Sequence, residues 1–178
     1  MLNTLGIVAI VVVVAIACLL LFAVTRPASF TVNRSIAIKA PADKIFALIQ
    51  DLHRWAAWSP WENKDPAMKR TFGGTPAGLG AVYEWTGNKN VGQGRMEIVE
   101  TKAPEKVVIK LDFIKPFEAH NMAEFTLLPT GDTITVTWSM YGPSPYIAKV
   151  MGMFVSMDKM VGKDFDAGLV NLKTVAEK

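Results

Sequence analysis

At 178 residues the chain has room for one domain with a real core once its apolar N-terminus is set aside, and a second domain is not expected. A net charge of +3, with lysines and arginines scattered instead of gathered beside aromatics, gives nucleic-acid binding little support. The single cysteine, Cys18, rules out a disulfide framework and a cysteine metal site.

Leu5 to Val24 carries no charge and is apolar or small throughout. At about 1.5 Å per residue it is long enough to cross a bilayer's hydrocarbon core. The absence of a basic start and of a small-x-small cleavage site favours an anchor over a cleaved signal peptide, and Ala15-Ile16-Ala17-Cys18 lies too far inside the segment for a lipoprotein processing site. Residues 1–26 are therefore read as a transmembrane helix and 27–178 as the domain it tethers, a single-pass membrane protein. No Lys or Arg precedes the segment, whereas Arg26, Arg34 and Lys39 follow it. Taken alone, that bias keeps the domain in the cytoplasm, but it is small and leaves the side open.

Phe30 to Lys39 alternates as a strand does. Ala40-Pro41-Ala42-Asp43 opens a helix with Ile45, Phe46, Leu48, Ile49 and Leu52 on its buried face. It fades into Trp55-Ala56-Ala57-Trp58-Ser59-Pro60-Trp61, the densest aromatic patch in the chain. Three roles suit this patch: a structural plug, a cavity mouth or a membrane-interface belt. Six strand-like runs follow, at 68–72, 80–86, 93–101, 107–114, 119–128 and 133–141, divided by Gly-, Pro- and Asn-rich turns that suit antiparallel neighbours. In the last run Ile134, Val136, Trp138 and Met140 share one face, and threonines and a serine take the other.

Pro145 to Lys178 reads as one long helix. Ile147, Val150, Met151, Phe154, Val161, Phe165, Leu169 and Leu172 recur on one stripe. Four methionines and three glycines in this stretch point to a loosely filled interior.

The order strand, helix, six strands, C-terminal helix resembles the helix-grip fold of the START-like (SRPBCC) superfamily. The local motifs resemble its bacterial polyketide cyclase/dehydrase and lipid transport proteins more closely. The matching pieces are Ser35 to Phe46, Trp55 to Trp61, Gly87-Asn88 with Val91 to Gly94, Gly131-Asp132-Thr133 with Thr137-Trp138, and Asp164 to Lys173. The resemblance implies an α+β fold in which a curved seven-stranded antiparallel sheet wraps a long C-terminal helix, and a bacterial inner-membrane setting. A fold of this kind carries unrelated functions, so it says little about chemistry.

Carried onto this fold, strand alternation turns Phe72, Tyr83, Trp85, Met96, Ile98, Leu111, Phe113, Asn121, Phe125, Trp138 and Met140 towards the C-terminal helix. With Trp58, Met151, Phe154 and Met157 they form the expected cavity lining. Asn121 and the Tyr83 hydroxyl are its polar groups, and entry is expected near Trp55–Trp61 or the Gly73–Gly80 loop.

Gly92-Gln93-Gly94 and the Gly73–Gly80 stretch join no strand to a helix and lack a P-loop ending, so no nucleotide cofactor is expected. His53 and His120 have no zinc-ligand spacing, and no metal is expected. His53 suits a helix end and His120 a solvated strand face. No serine or cysteine sits in a nucleophile setting. Asp51, Glu84, Arg95, Glu97 and Asp112 remain as acid–base candidates, with Arg95 and Glu97 on the outer face.

The leading expectation is membrane-tethered binding, transport or sensing of a hydrophobic small molecule or lipid. The alternatives are a cyclase/dehydrase-like enzyme on a polyketide-like or cyclic substrate, which needs a titratable group in the cavity, and a ligand-free membrane-proximal interaction module, which needs a closed core and an exposed apolar patch.

Overall fold

The computed structural model describes residues 3–178. An apolar helix, α1 (Thr4–Val24), begins at Asn3, whose side chain accepts from Gly6 N. It is long and apolar enough to cross a membrane. Four residues later the chain enters β1 (Ser29–Ile38), then α2 (Ala42–Gln50), whose amphipathic face buries Ile45, Phe46, Leu48 and Ile49. The tryptophan-rich stretch follows as two 3₁₀ turns, Leu52–Ala57 and Pro60–Asn63, here called the strap.

Six strands complete one antiparallel sheet: β2 (Lys69–Gly74), β3 (Ala81–Thr86), β4 (Gln93–Lys102), β5 (Lys106–Lys115), β6 (Ala119–Thr130) and β7 (Thr133–Pro143). The spatial order is β1-β7-β6-β5-β4-β3-β2, so β1 crosses over to pair with the last strand and every other neighbour is a hairpin. Period-two alternation sets the register. Val136, Trp138 and Met140 of β7 are buried, as are Asn121, Ala123, Phe125 and Leu127 of β6. β4 slips register between Gln93 and Gly94 and again between Ile98 and Glu100, where the unpaired Val99 is exposed. Between the two slips the inward facing of Met96 and Ile98 is kept.

The C-terminal stretch differs from the single helix its stripe predicts. It forms α3 (Tyr146–Gly152) and α4 (Met157–Ala176), separated by a turn. Phe154 N and Val155 N both return to Met151 O, and the Ser156 hydroxyl then accepts from Lys159 N, capping a new helix. A serine cap satisfies an amide that the start of a helix leaves unpaired, so the break costs little.

α4 runs alongside β1 in the same direction. Arg34 pairs with Asp158 at 2.8 Å and Asp166 at 3.2 Å. Farther along, Lys173 Nζ donates to Ala37 O and Lys39 N donates to Glu177 Oε1. Gly168 faces the sheet at the closest approach. A Cβ there would lie 2.8 Å from the Trp138 ring and 3.1 Å from the Pro60 ring. Gly152, at the end of α3, has open space at its Cβ position.

These two glycines make a paired test by chemical denaturation of the full-length protein. Both gain helix propensity as alanine, by up to about 1 kcal/mol. Gly152→Ala should stabilise by a few tenths of that order, whereas Gly168→Ala drives a methyl into two rigid rings and should destabilise by about 1–3 kcal/mol.

Candidate functional site

The space between sheet and α4 is occupied by an aromatic pile. Trp138 of β7 lies flat on Phe165 of α4, with centroids 4.2 Å apart and planes 6° from parallel, and on its other flank stacks with Phe125 at 4.8 Å. Trp55, Trp58 and Trp61 of the strap meet Trp138 edge-on at 5.6–6.2 Å. The strap's indoles are held by α2: Trp55 Nε1 donates to Ile49 O and Trp58 Nε1 to Leu48 O. Of the three roles open to this segment, the structure shows a plug. Entry through Trp55–Trp61 is accordingly closed by its own packing. Trp138 Nε1 is buried and has no hydrogen-bond partner.

Of the expected lining, Trp58, Tyr83, Trp85, Met96, Ile98, Asn121, Phe125, Trp138 and Met140 are inward and buried. Leu111, Phe113 and Met157 pack on this core while half-buried. Three others depart from the expectation. Phe72, on the edge strand β2, is partly exposed and stacks under His53 at 4.0 Å. Met151 and Phe154 are 53% and 71% exposed and line nothing in the interior. The Ser156 cap restarts the helix, so the residues before it leave the buried stripe.

At the end where β1 and α4 finish and α2 begins, Ile38, Ile45, Val107, Val136 and Leu172 are buried, and Ile36, Ala40, Ile134 and Val175 are half-buried. At the opposite end, next to α1, Phe30, Leu111, Phe113, Met157 and Val161 are half-buried. This α1 end of the grip also holds Asn121, a polar side chain only 5% exposed. Its Oδ1 lies against Gly142, where any side chain would collide with it.

The strap ends in a latch that sequence reasoning missed. Glu62 Oε2 accepts from Arg70 Nε at 2.6 Å, and Glu62 Oε1 accepts from the Tyr83 hydroxyl at 2.8 Å. Lys64 Nζ bonds Asp164 of α4 at 2.6 Å, and buried Asp65 accepts from Asn88 N at 2.7 Å. Burial first, and then the bond to Glu62, raises the Tyr83 pKa above that of a free phenol. The same carboxylate holds the Arg70 pKa up. The one available signal was polar residues directly after an aromatic plug, and nothing in one dimension links Glu62 to Tyr83, 21 residues away. The hydroxyl expected to meet a ligand is thus engaged within the protein.

The acid–base candidates are dispersed. Arg95 lies between Glu84 and Glu97 on the outer face, as read. Asp112 pairs with Lys110 and His120, also outside, and raises the His120 pKa mainly through the 2.7 Å bond. Asp51 caps the first strap turn by accepting from His53 N. Among the described residues, no three His, Cys, Asp or Glu side chains converge as metal ligands. Two shallow clefts, of about 250 and 510 Å³, lie on the outer face around Glu84 and Arg95 and beside the β3–β4 turn, not between sheet and α4.

A seven-stranded antiparallel sheet gripping a C-terminal helix defines the START-like, SRPBCC class. The family model described as polyketide cyclase / dehydrase and lipid transport matches residues 29–177, and the chain belongs to that family. Solved structures share the fold at low identity. Protein CV1439 from Chromobacterium violaceum is 14% identical, with TM-score 0.58 over 85% of this chain and 99% of that one. The Aha1 dimer from Colwellia psychrerythraea is 15% identical, with TM-score 0.57 over 83% and 96%. The di-domain ARO/CYC StfQ from the steffimycin biosynthetic pathway is 11% identical, with TM-score 0.61 over 84% of this chain and 51% of that one. A search of the curated proteins finds no match.

The latch makes a pH prediction. A group whose folded pKa is raised contributes stability in full below its unfolded value, about 10 for tyrosine, and loses it as pH climbs through the folded value. Unfolding midpoints of the wild type should therefore fall more steeply above about pH 10 than those of Tyr83→Phe. At neutral pH, Tyr83→Phe should cost about 1.5–3 kcal/mol for a buried bond to a carboxylate.

Proposed function

We propose that the domain, residues 27–178, binds an apolar small molecule or a lipid acyl chain at the α1 end of the grip while residues 1–26 tether it to a bilayer. The observation that carries this reading is the makeup of the inward face at its α1 end, where half-buried apolar side chains from β1, β5 and α4 accompany a single buried amide. Such a surface stabilises an apolar guest by removing it from water, at about 25 cal/mol per Å², and orients it with one or two polar contacts. The family's name, with its cyclases, dehydrases and lipid transport, supports a hydrophobic ligand in general terms.

The aromatic pile limits such a ligand to the outer part of the grip unless the strap moves. It favours a second reading, a ligand-free interaction module. Enzymatic chemistry has less support, since Glu62, Arg70 and Tyr83 already satisfy one another.

Dibromostearate, a bromine quencher on an acyl chain, separates the readings by tryptophan fluorescence. Trp61 is half-buried beside Phe165, so saturable quenching is expected in the detergent-solubilised full chain. Met157→Asp places a charge at the α1 end of the grip while suiting the first turn of α4, and should weaken the apparent affinity by about tenfold or more. Quenching that never saturates, or that Met157→Asp leaves unchanged, favours the ligand-free module.

A further inference from the structure

α3 presents to solvent the side that a water-facing helix would bury. Ile147 and Met151 of α3 and Phe154 and Val155 of the turn after it, at spacings of four, seven and eight residues, are all exposed, and Met160 follows in α4. Half-buried Lys149, Val150 and Met153 face the other way. The stripe is held beside α1. The Tyr146 hydroxyl donates to Leu20 O at 2.8 Å, Ser144 N donates to Ala28 O at 2.7 Å, and Ala23 of α1 is fully buried.

The stripe therefore continues an apolar surface that already exists. α1 has 21 residues, so it spans about 32 Å, close to the thickness of a bilayer's hydrocarbon core. Its last turn then lies at the interface, and α3 lies level with that turn. The same end of the sheet carries the end of β5 and the β5–β6 turn, where Ile114 and Phe117 respectively are exposed. The pairing of Met122 with Tyr141 places the start of β6 beside the end of β7. Arg26, Lys115, Lys149 and Lys159 punctuate this end, and long cationic stems can keep their charge at headgroup level while the stem lies on apolar surface.

We propose that Tyr146 to Met160, together with Phe117, is a bilayer-seating surface. Ile147, Met151, Phe154 and Val155 enter the boundary between headgroups and acyl chains, as an interfacial helix does, about 5–10 Å deep. The anchor thereby fixes orientation as well as location. The half-buried Phe30, Phe113 and Met157 lie at the end of the grip that meets lipid, so a guest can pass between bilayer and grip without crossing water. This inference rests on reading α1 as a membrane anchor.

Single spin labels on the full-length chain in phosphatidylcholine–phosphatidylglycerol vesicles test it. In a Cys18→Ser background, labels are placed through Met151→Cys, Phe154→Cys, Val13→Cys and Leu128→Cys. Val13 lies within α1, and Leu128 is an exposed apolar residue at the far end of β6. Oxygen, which concentrates in lipid, and a water-soluble nickel chelate compete to relax each label. Labels at 151 and 154 should favour oxygen over nickel by about threefold or more relative to 128, approaching the value at 13. Lipid at 13 with water at 151 and 154 overturns the seating surface and leaves the anchor standing. Water at 13 overturns both. Spin–spin broadening at 154 that disappears on dilution with unlabelled chain assigns the stripe to a second copy and overturns the proposal.

Discussion

The contact between Trp138 and Phe165 is the constraint from which the rest of the fold follows. It joins the centre of the sheet to the centre of α4, with the rings parallel and 4.2 Å apart. So close an approach requires a residue without a side chain three positions along the helix, and Gly168 supplies it. Each aromatic pair adds about 0.5–1.5 kcal/mol beyond the area it buries. With Phe125 on one flank and three strap indoles on the edges, the contribution is shared among β6, β7, α4 and the strap. The cost is also local: the Trp138 N–H finds no acceptor inside a cluster made almost wholly of aromatic carbon.

This pile decides what the grip can hold. A curved sheet around one helix leaves a chamber in principle, and here the strap fills its middle. The strap is pinned at both ends. Its indoles bond the α2 carbonyls, while Glu62, Lys64 and Asp65 reach β2, β3, α4 and the β3–β4 turn. Loosening one of these contacts leaves several others in place, so the plug behaves as part of the core and not as a free flap. What remains for a guest is the outer rim, where α4 has only begun and the strands are ending.

Much of this was legible in the sequence, for a physical reason. Strand alternation is strict wherever one face is buried, so Val136, Trp138, Met140 and the inward run of β3 and β4 could be read directly, and the two irregularities in β4 flank Met96 and Ile98 without turning them outward. The single long helix could not be read correctly from its stripe. Ile147, Met151 and Phe154 stay in phase with Val161, Phe165 and Leu169 across the break, and periodicity alone does not register the Ser156 cap between them. The role of Tyr83 was hidden for another reason. Its partner Glu62 lies in a 3₁₀ turn with no pattern, and only the fold brings the two together. The tryptophan segment was ambiguous because an indole suits a core, a cavity mouth and an interface alike. The ambiguity ends where two indole N–H groups meet the carbonyls of α2.

The break in the C-terminal helix also ties the fold to its proposed setting. Had the helix run unbroken from Pro145, its first two turns would have continued along the sheet and covered the half-buried residues around Phe30, Phe113 and Met157. The Ser156 cap instead starts α4 at the rim and sends α3 to α1, where Tyr146 bonds Leu20. One local feature thus leaves that rim half-covered and places an apolar stripe beside α1. In water both consequences are unfavourable, since each exposes surface that folding normally removes. Against a bilayer neither carries that penalty. A sequence that keeps its hydrophobic period through a helix break fits a chain whose solvent changes from protein interior to lipid at that point.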